Sequence, residues 1–461
     1  MHPRLILLFI SDSESMAKQK KKENPAPEIK KEQTQPIALT ALWYIMLLFF
    51  AVIVILQLQK PETDPKTKPV DSVKLTLSSW FDHSYQRDRE EQLKKNSTIG
   101  RKSIPLKNQI DFNWFHKINV NEFVLGKDDY IFNIPYINAY LGRDFVGEEK
   151  INEHLRKTQV VADTLKRKGI DLVVVFAPGK GTYSAEYLPE KYLKYPRTTT
   201  NYEVYTQKIK DFNIHFLDFQ SWFLEMKKDT KYPLFPQYGH HWSYYGEVLA
   251  ADSLITYFEQ MRGIHLPHLR WKEIDYPAAP KVRDADILGK AKLKTAPEGM
   301  MMAYPKFGYA ALPDATKVKT LAIADSYYRG FLYLGVMQNV FDNGKYWYYN
   351  NKVIPESDTK LLEVWEVDLK KEIEKNEVIL IMNADATLAE FSSGFIDQAY
   401  MLYTDPKQYY EKVAAEKDLF KTKKMIRETP SLLSESVENA QRMTVPVDSA
   451  ITLKALELLG K

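Results

Sequence analysis

Three short stretches of the sequence carry side chains able to do chemistry. Asp325 and Ser326 follow the apolar run Thr320 to Ala324. His240, His241 and Trp242 directly precede Ser243 and a long amphipathic stretch. Pro178, Gly179, Lys180, Gly181 and Thr182 follow the apolar run Leu172 to Phe176. A serine where a strand turns into a helix exposes its hydroxyl, and the first helical N–H groups point at any oxyanion forming on an attacked carbonyl. Ser326 is therefore a candidate nucleophile, and its plainer reading is a helix N-cap, which serine favours anyway. His241 is the candidate base, since imidazole suits proton transfer near neutral pH.

Asp325, Lys180, His240 and Trp242 are candidate site-lining residues. Trp242 reads more readily as packing than as a sugar contact. The adjacent histidines do not read as a metal site, because neighbouring side chains diverge and no third His or carboxylate follows at helical spacing. Gly179-Lys180-Gly181-Thr182 lacks the preceding Gly-x-x-x-x of a nucleotide loop. No cofactor or metal is expected.

The elements that must position these groups alternate along the chain. Glu148 to Lys168 places Ile151, Leu155, Val161 and Leu165 on one helical face, Gly169 stops it, and Leu172 to Phe176 reads as a buried strand. A helix around Tyr202 to Ile209 precedes the strand His215 to Leu217, and Ser243 to Met261 reads as a capped helix. Thr320 to Ala324 is a strand followed by a helix over Tyr327 to Val340, and the helix Leu369 to Lys375 precedes the strand Val378 to Met382. Phe123 to Phe132 reads as a hairpin. The alternation predicts an α/β fold with a mostly parallel sheet and flanking helices, whose carboxyl edge is where ligands gather. Expected boundaries are a basic cytoplasmic N-terminus at 1–36, a membrane span at 37–56, a connector at 57–102, the α/β domain at 103–404 and a helical appendage at 405–461.

The span Ile37 to Leu56 holds twenty residues with no charge and only Thr40 polar. At about 1.5 Å per residue it covers the roughly 30 Å hydrocarbon layer. Lys18, Lys20, Lys21, Lys22, Lys30 and Lys31 precede it, so the positive-inside bias keeps the N-terminus in the cytoplasm and exports the rest. The expected address is the inner membrane, single-pass, with the main domain in the periplasm or outside. A second plausible start lies at Met16.

The net charge is +4, of which the residues before Ile37 supply +2, so the exported part lacks the basic excess that nucleic-acid binding needs. With no cysteine there is no disulfide, thiolate metal site or Cys nucleophile. The 29 tyrosines and eight tryptophans suit sugar-facing surfaces as well as aromatic cores.

Taken in order, Leu125-Gly-Lys-Asp-Asp-Tyr-Ile-Phe132, Pro178-Gly-Lys180, Glu186-Tyr-Leu188-Pro189, His240-His241-Trp242-Ser243 and Ala324-Asp325-Ser326 resemble the SGNH-hydrolase-like alginate O-acetyltransferase family (AlgX/AlgJ-like, DHHW-type). The resemblance runs from about Phe81 to Tyr400. It implies an SGNH-like fold, Ser326 as nucleophile, His241 as base, and acetyl transfer to a polysaccharide hydroxyl. It also implies a membrane-bound O-acyltransferase partner that delivers the acetyl group.

The sequence departs from the pattern at Gly239, where the family has the Asp two residues before the catalytic His. Losing a triad carboxylate costs up to about 10⁴-fold in rate. Asp385, just after the Val378 strand, is one candidate stand-in, and a backbone carbonyl is another. A smaller departure is Ala324 in place of the usual Gly. Two functions follow: a membrane-anchored O-acetyltransferase or acetylesterase acting on an exopolysaccharide, or a non-catalytic polysaccharide-binding or assembly subunit that has lost the carboxylate.

Overall fold

A computed structural model of the chain describes residues 35–58, 79–80, 83, 85–87, 98–342, 344–354 and 362–460. They divide into two units, 1–101 and 102–461. In the first, helix α1 (Gln35–Leu58) contains the apolar run read as a membrane span. Its side chains are described over 40–52 and are exposed there. Among the described residues no helix is long and apolar enough to cross a membrane, whereas the sequence led to the expectation of a span at 37–56; that stretch lies within α1, with side chains described only over 40–52. The expected connector and Met16 also lie largely or wholly outside the described residues.

α2 (Thr98–Phe115) begins before the division, and the second unit continues with the ribbon β1 (Phe123–Leu125) and β2 (Ile131–Asn133), and α3 (Ile134–Leu141). Then come α4 (Glu148–Lys166), β3 (Asp171–Ala177), α5 (Asn201–Lys208), β4 (His215–Asp218), α6 (Phe219–Met226) and α7 (Tyr244–Arg262). A second ribbon pairs β5 (His268–Asp275) with β6 (Tyr304–Ala310). The remainder is β7 (Thr320–Ala324), α8 (Arg329–Leu334), β8 (Lys345–Tyr348), β9 (Lys352–Ile354), α9 (Leu369–Glu374), β10 (Val378–Ala384) and α10 (Phe395–Thr404). Beyond α10 the described residues form three helices, α11 (Pro406–Glu428), α12 (Pro430–Met443) and α13 (Val447–Leu458).

The main sheet has the order β4-β3-β10-β7-β8-β9. It is mixed, which corrects the expectation of a mostly parallel one. Of the seven strand pairings among the described residues, four are parallel and three antiparallel: the β8–β9 edge and the two ribbons. β8 is short and aromatic and turns straight back into β9, and neither signals a buried strand by an aliphatic run.

β3 and β10 are buried along their whole length because helices cover both faces. The two-residue period of a strand divides each between two cores. Val173, Val175 and Ala177 join one core with Leu254 and Phe331, whereas Leu172, Val174 and Phe176 join the other with Leu155 and Phe395. Each of the Val, Leu and Phe side chains contributes roughly 1.5–3 kcal/mol on burial. The helix expected over Tyr327 to Val340 is interrupted at Gly335, whose φ of 79° is the left-handed conformation that ends a helix. In register, Ala177 pairs with Ala384, and Ala324 with Met382, so the residues after β3, β10 and β7 emerge at one edge.

Candidate active site

Ser326 begins a single 3₁₀ turn, Ser326–Tyr328, at the carboxyl end of β7. The residue capping that turn is Asp325, whose Oδ1 accepts the Tyr327 N–H at 3.0 Å. Its Oδ2 accepts the Ala384 N–H at 2.7 Å and the Thr387 hydroxyl at 2.8 Å. Asp325 thus ties β7 to the end of β10, and Ser326 is relieved of the capping role that the sequence left open. The Ser326 hydroxyl lies 2.8 Å from His241 Nε2.

The histidines lie just before α7, whose N-cap Ser243 accepts the Gly246 N–H at 3.0 Å and donates to Pro233 O at 2.7 Å. His241 keeps 27% of its side chain exposed and packs edge-on against Tyr327. Burial, with Arg283, Lys290 and Arg329 nearby, pushes its pKa down to about 3, so the imidazole is neutral and able to accept a proton. The His240 ring points among Phe123, Tyr136 and Tyr327. Trp242 lies in the core against Phe219, Phe223 and Phe331 and does not line the site.

Asp385 is not the carboxylate that reaches His241. Its Oδ2 accepts the Thr182 hydroxyl at 2.8 Å, and its carboxylate lies against Gly179. The group facing His241 is Asp286, with Oδ2 3.8 Å from Nδ1. Its other oxygen accepts the His240 N–H at 3.1 Å. Asp286 opens a short helix, Asp286–Lys290, in the excursion between β5 and β6. That excursion docks on the start of α7 through two further contacts. Asp284 Oδ1 accepts the Tyr244 N–H at 3.1 Å, and the Arg283 guanidinium pairs with buried Glu247.

Lys180 is buried at 1% exposure, and its Nζ donates to Gln237 O at 2.9 Å and Gly239 O at 2.8 Å. The rings of Tyr130 and Phe132 each lie 5.5 Å from that nitrogen. Burial pushes its pKa down to about 7, with Asp286 opposing. Lys180 holds the chain entering the histidine pair. Among the described residues no group of three or more His, Cys, Asp or Glu is arranged to hold a metal ion.

Residues 123–281 match the family model described as the SGNH hydrolase-like domain of acetyltransferase AlgX. Over those residues the chain is similar to the AlgX-type SGNH hydrolase-like domain. The AlgX-like segment contains Lys180, His240 and His241, while Ser326 and Asp286 lie beyond it. Among solved structures, the O-acetyltransferase domain of Pseudomonas putida AlgJ is 17% identical, with 60% of this chain and 98% of that one covered and a TM-score of 0.39. Pseudomonas aeruginosa AlgX is 15% identical over 60% of this chain and 67% of that one, with a TM-score of 0.36. Bacillus cereus PatB1 is 12% identical over 59% and 98%, with a TM-score of 0.35. No curated protein matches the chain.

Proposed function

We propose that this AlgX-like protein is an acyl-transfer enzyme, an O-acetyltransferase or acetylesterase, with Ser326 as nucleophile, His241 as base and Asp286 as the carboxylate that orients it. The observation that carries this reading is the chain of contacts from the Ser326 hydroxyl to His241 Nε2, and from Nδ1 to Asp286. As Ser326 Oγ attacks an acyl carbonyl, its proton passes to His241 Nε2. The carbonyl carbon releases the carrier oxygen, which takes that proton, and Ser326 is left acylated. An acceptor hydroxyl then gives its proton to His241 and attacks the acyl carbon, and Ser326 is regenerated. The Asp286 charge favours the transient imidazolium. Its 3.8 Å separation from Nδ1 exceeds a hydrogen bond, and catalytic contacts of this kind tighten when substrate binds.

The acetyl group is taken from the description of the matched family, and a polysaccharide acceptor from the resemblance in the sequence. A membrane-bound O-acyltransferase as acetyl donor, α1 as the anchor, and an inner-membrane address with the second unit outside the cytoplasm belong to the same proposal. The apolar run Ile37 to Leu56 and the lysines before it support them. The alternative of a non-catalytic subunit was motivated by Gly239, and Asp286 supplies a carboxylate despite it.

The test is hydrolysis of p-nitrophenyl acetate by the full chain in detergent, together with labelling by a sulfonyl fluoride. Both are expected to fall to background in Ser326→Ala. Unchanged labelling and turnover in that variant would overturn the catalytic reading.

A further inference from the structure

Tyr349 follows β8, which runs parallel to β7 with Tyr348 beside Ala324. Its backbone N–H donates to Ala324 O at 2.9 Å, which sets it level with Asp325 and Ser326. Tyr349 and Asn350 have φ of 48° and 49°, and the Asn351 N–H closes the turn onto Tyr348 O at 3.0 Å. A turn with two left-handed central residues favours Asn and Gly, and a bulky aromatic side chain there is strained. Such strain concentrates at functional sites. Tyr349 is 37% exposed, so packing in a core does not account for the residue.

Tyr349 stands one residue past the Ala324–Tyr348 pair, beside the start of the Ser326 turn. Burial raises the Tyr349 pKa, and hydrogen bonding from the Ser326 side chain and amide works in the opposite direction. On the other side of β7, Asn383 is engaged within the fold. It donates to the Thr387 hydroxyl at 3.1 Å and accepts the Ser392 N–H at 3.0 Å.

We propose that the Tyr349 hydroxyl is the side-chain donor to the oxyanion formed when Ser326 attacks an acyl carbonyl. The inference rests on the acyl-transfer reading above. In the free protein Ser326 acts on the phenol through its side chain and its N–H. An acyl oxygen arriving over Ser326 takes that N–H, and the phenol turns from acceptor to donor toward the same oxygen. As the carbonyl π pair moves onto oxygen, Ser326 N–H and Tyr349 O–H share the developing charge, and both donations relax when the leaving oxygen departs.

Tyr349→Phe in the full chain tests this with p-nitrophenyl acetate. Removing one oxyanion donor costs about 10²–10³-fold in kcat; a fall of at least tenfold with KM little changed is expected. Tyr349→Asn suits the left-handed turn, so it is expected to raise Tm while lowering kcat by at least as much as Tyr349→Phe. A kcat for Tyr349→Phe equal to or above the unsubstituted protein, with Ser326→Ala inactive, would overturn the tyrosine's role and leave the acyl-transfer reading intact. An active Ser326→Ala would overturn the reading on which it rests.

Discussion

Gly239 lies directly against the backbone of Asp284: a β-carbon at position 239 would come within 2.9 Å of the Asp284 carbonyl oxygen and 2.7 Å of Pro236 Cγ. The glycine therefore makes room for the excursion that carries Asp286, and the missing family aspartate and the new carboxylate share one structural cause. Gly239→Asp is expected to lower stability by about 1–3 kcal/mol, the range for overpacking a close contact. It is also expected to lower turnover by displacing residues 284–286. Chemical denaturation and p-nitrophenyl acetate hydrolysis check the two effects, and an undiminished rate would separate Gly239 from the positioning of Asp286.

Asp286→Asn keeps the side-chain shape and removes the charge facing Nδ1. Turnover is expected to fall by about 10²–10⁴-fold, the upper figure being the effect of the equivalent change in a serine protease triad. Asp385→Asn, whose carboxylate accepts from Thr182 rather than facing His241, is expected to leave the rate within a fewfold of the unsubstituted protein. The paired kcat/KM values decide which carboxylate serves the histidine.

Lys180→Met retains the buried stem and removes the donor to Gln237 O and Gly239 O. Buried acceptors left without a partner cost about 1–3 kcal/mol each. The freed loop carries His240 and His241, and a displacement of about 1 Å at a catalytic group can cost 10²-fold. The expected result is a lower kcat with KM nearly unchanged, read from steady-state kinetics beside Tm.

The pH profile follows from His241, whose pKa is held near 3 by burial and then by Arg283, Lys290 and Arg329. The base form persists far below the usual histidine range, so kcat/KM is expected to show no loss near pH 6.5 on the acid side. Stability carries the opposite warning. The unfolded chain takes up the histidine proton near pH 6.5 and the folded chain only near 3, so this contribution is present above about pH 6.5 and is lost as pH falls toward 3. Rate measurements and denaturation midpoints over the same buffers separate the two.

The strands that form the frame were legible because their physics is local. Leu172 to Phe176, Thr320 to Ala324 and Val378 to Met382 are apolar runs, and all are buried. Ser326 and His241 stood out because each abuts such an element. Asp286 did not, since residues 276–303 contain no long periodic segment and the position depends on docking through Asp284 and Glu247–Arg283. The acidic pair Asp284 and Asp286 beside Arg283 was the available signal. Asp385 attracted attention by following a strand, but that site opens toward Thr182. Tyr349 went unread because a tyrosine at a left-handed turn position violates the sequence preference that identifies such turns.

The proposed base and the carboxylate that faces it come from separate stretches of chain, His241 from the approach to α7 and Asp286 from the loop joining the two strands of a ribbon. The acidic partner can thus be altered, exchanged or lost during divergence by remodelling that one loop, with the serine and histidine scaffolds inherited intact. Relatives with different loops between these strands are expected to grade from full catalysts to binding proteins on an unchanged frame.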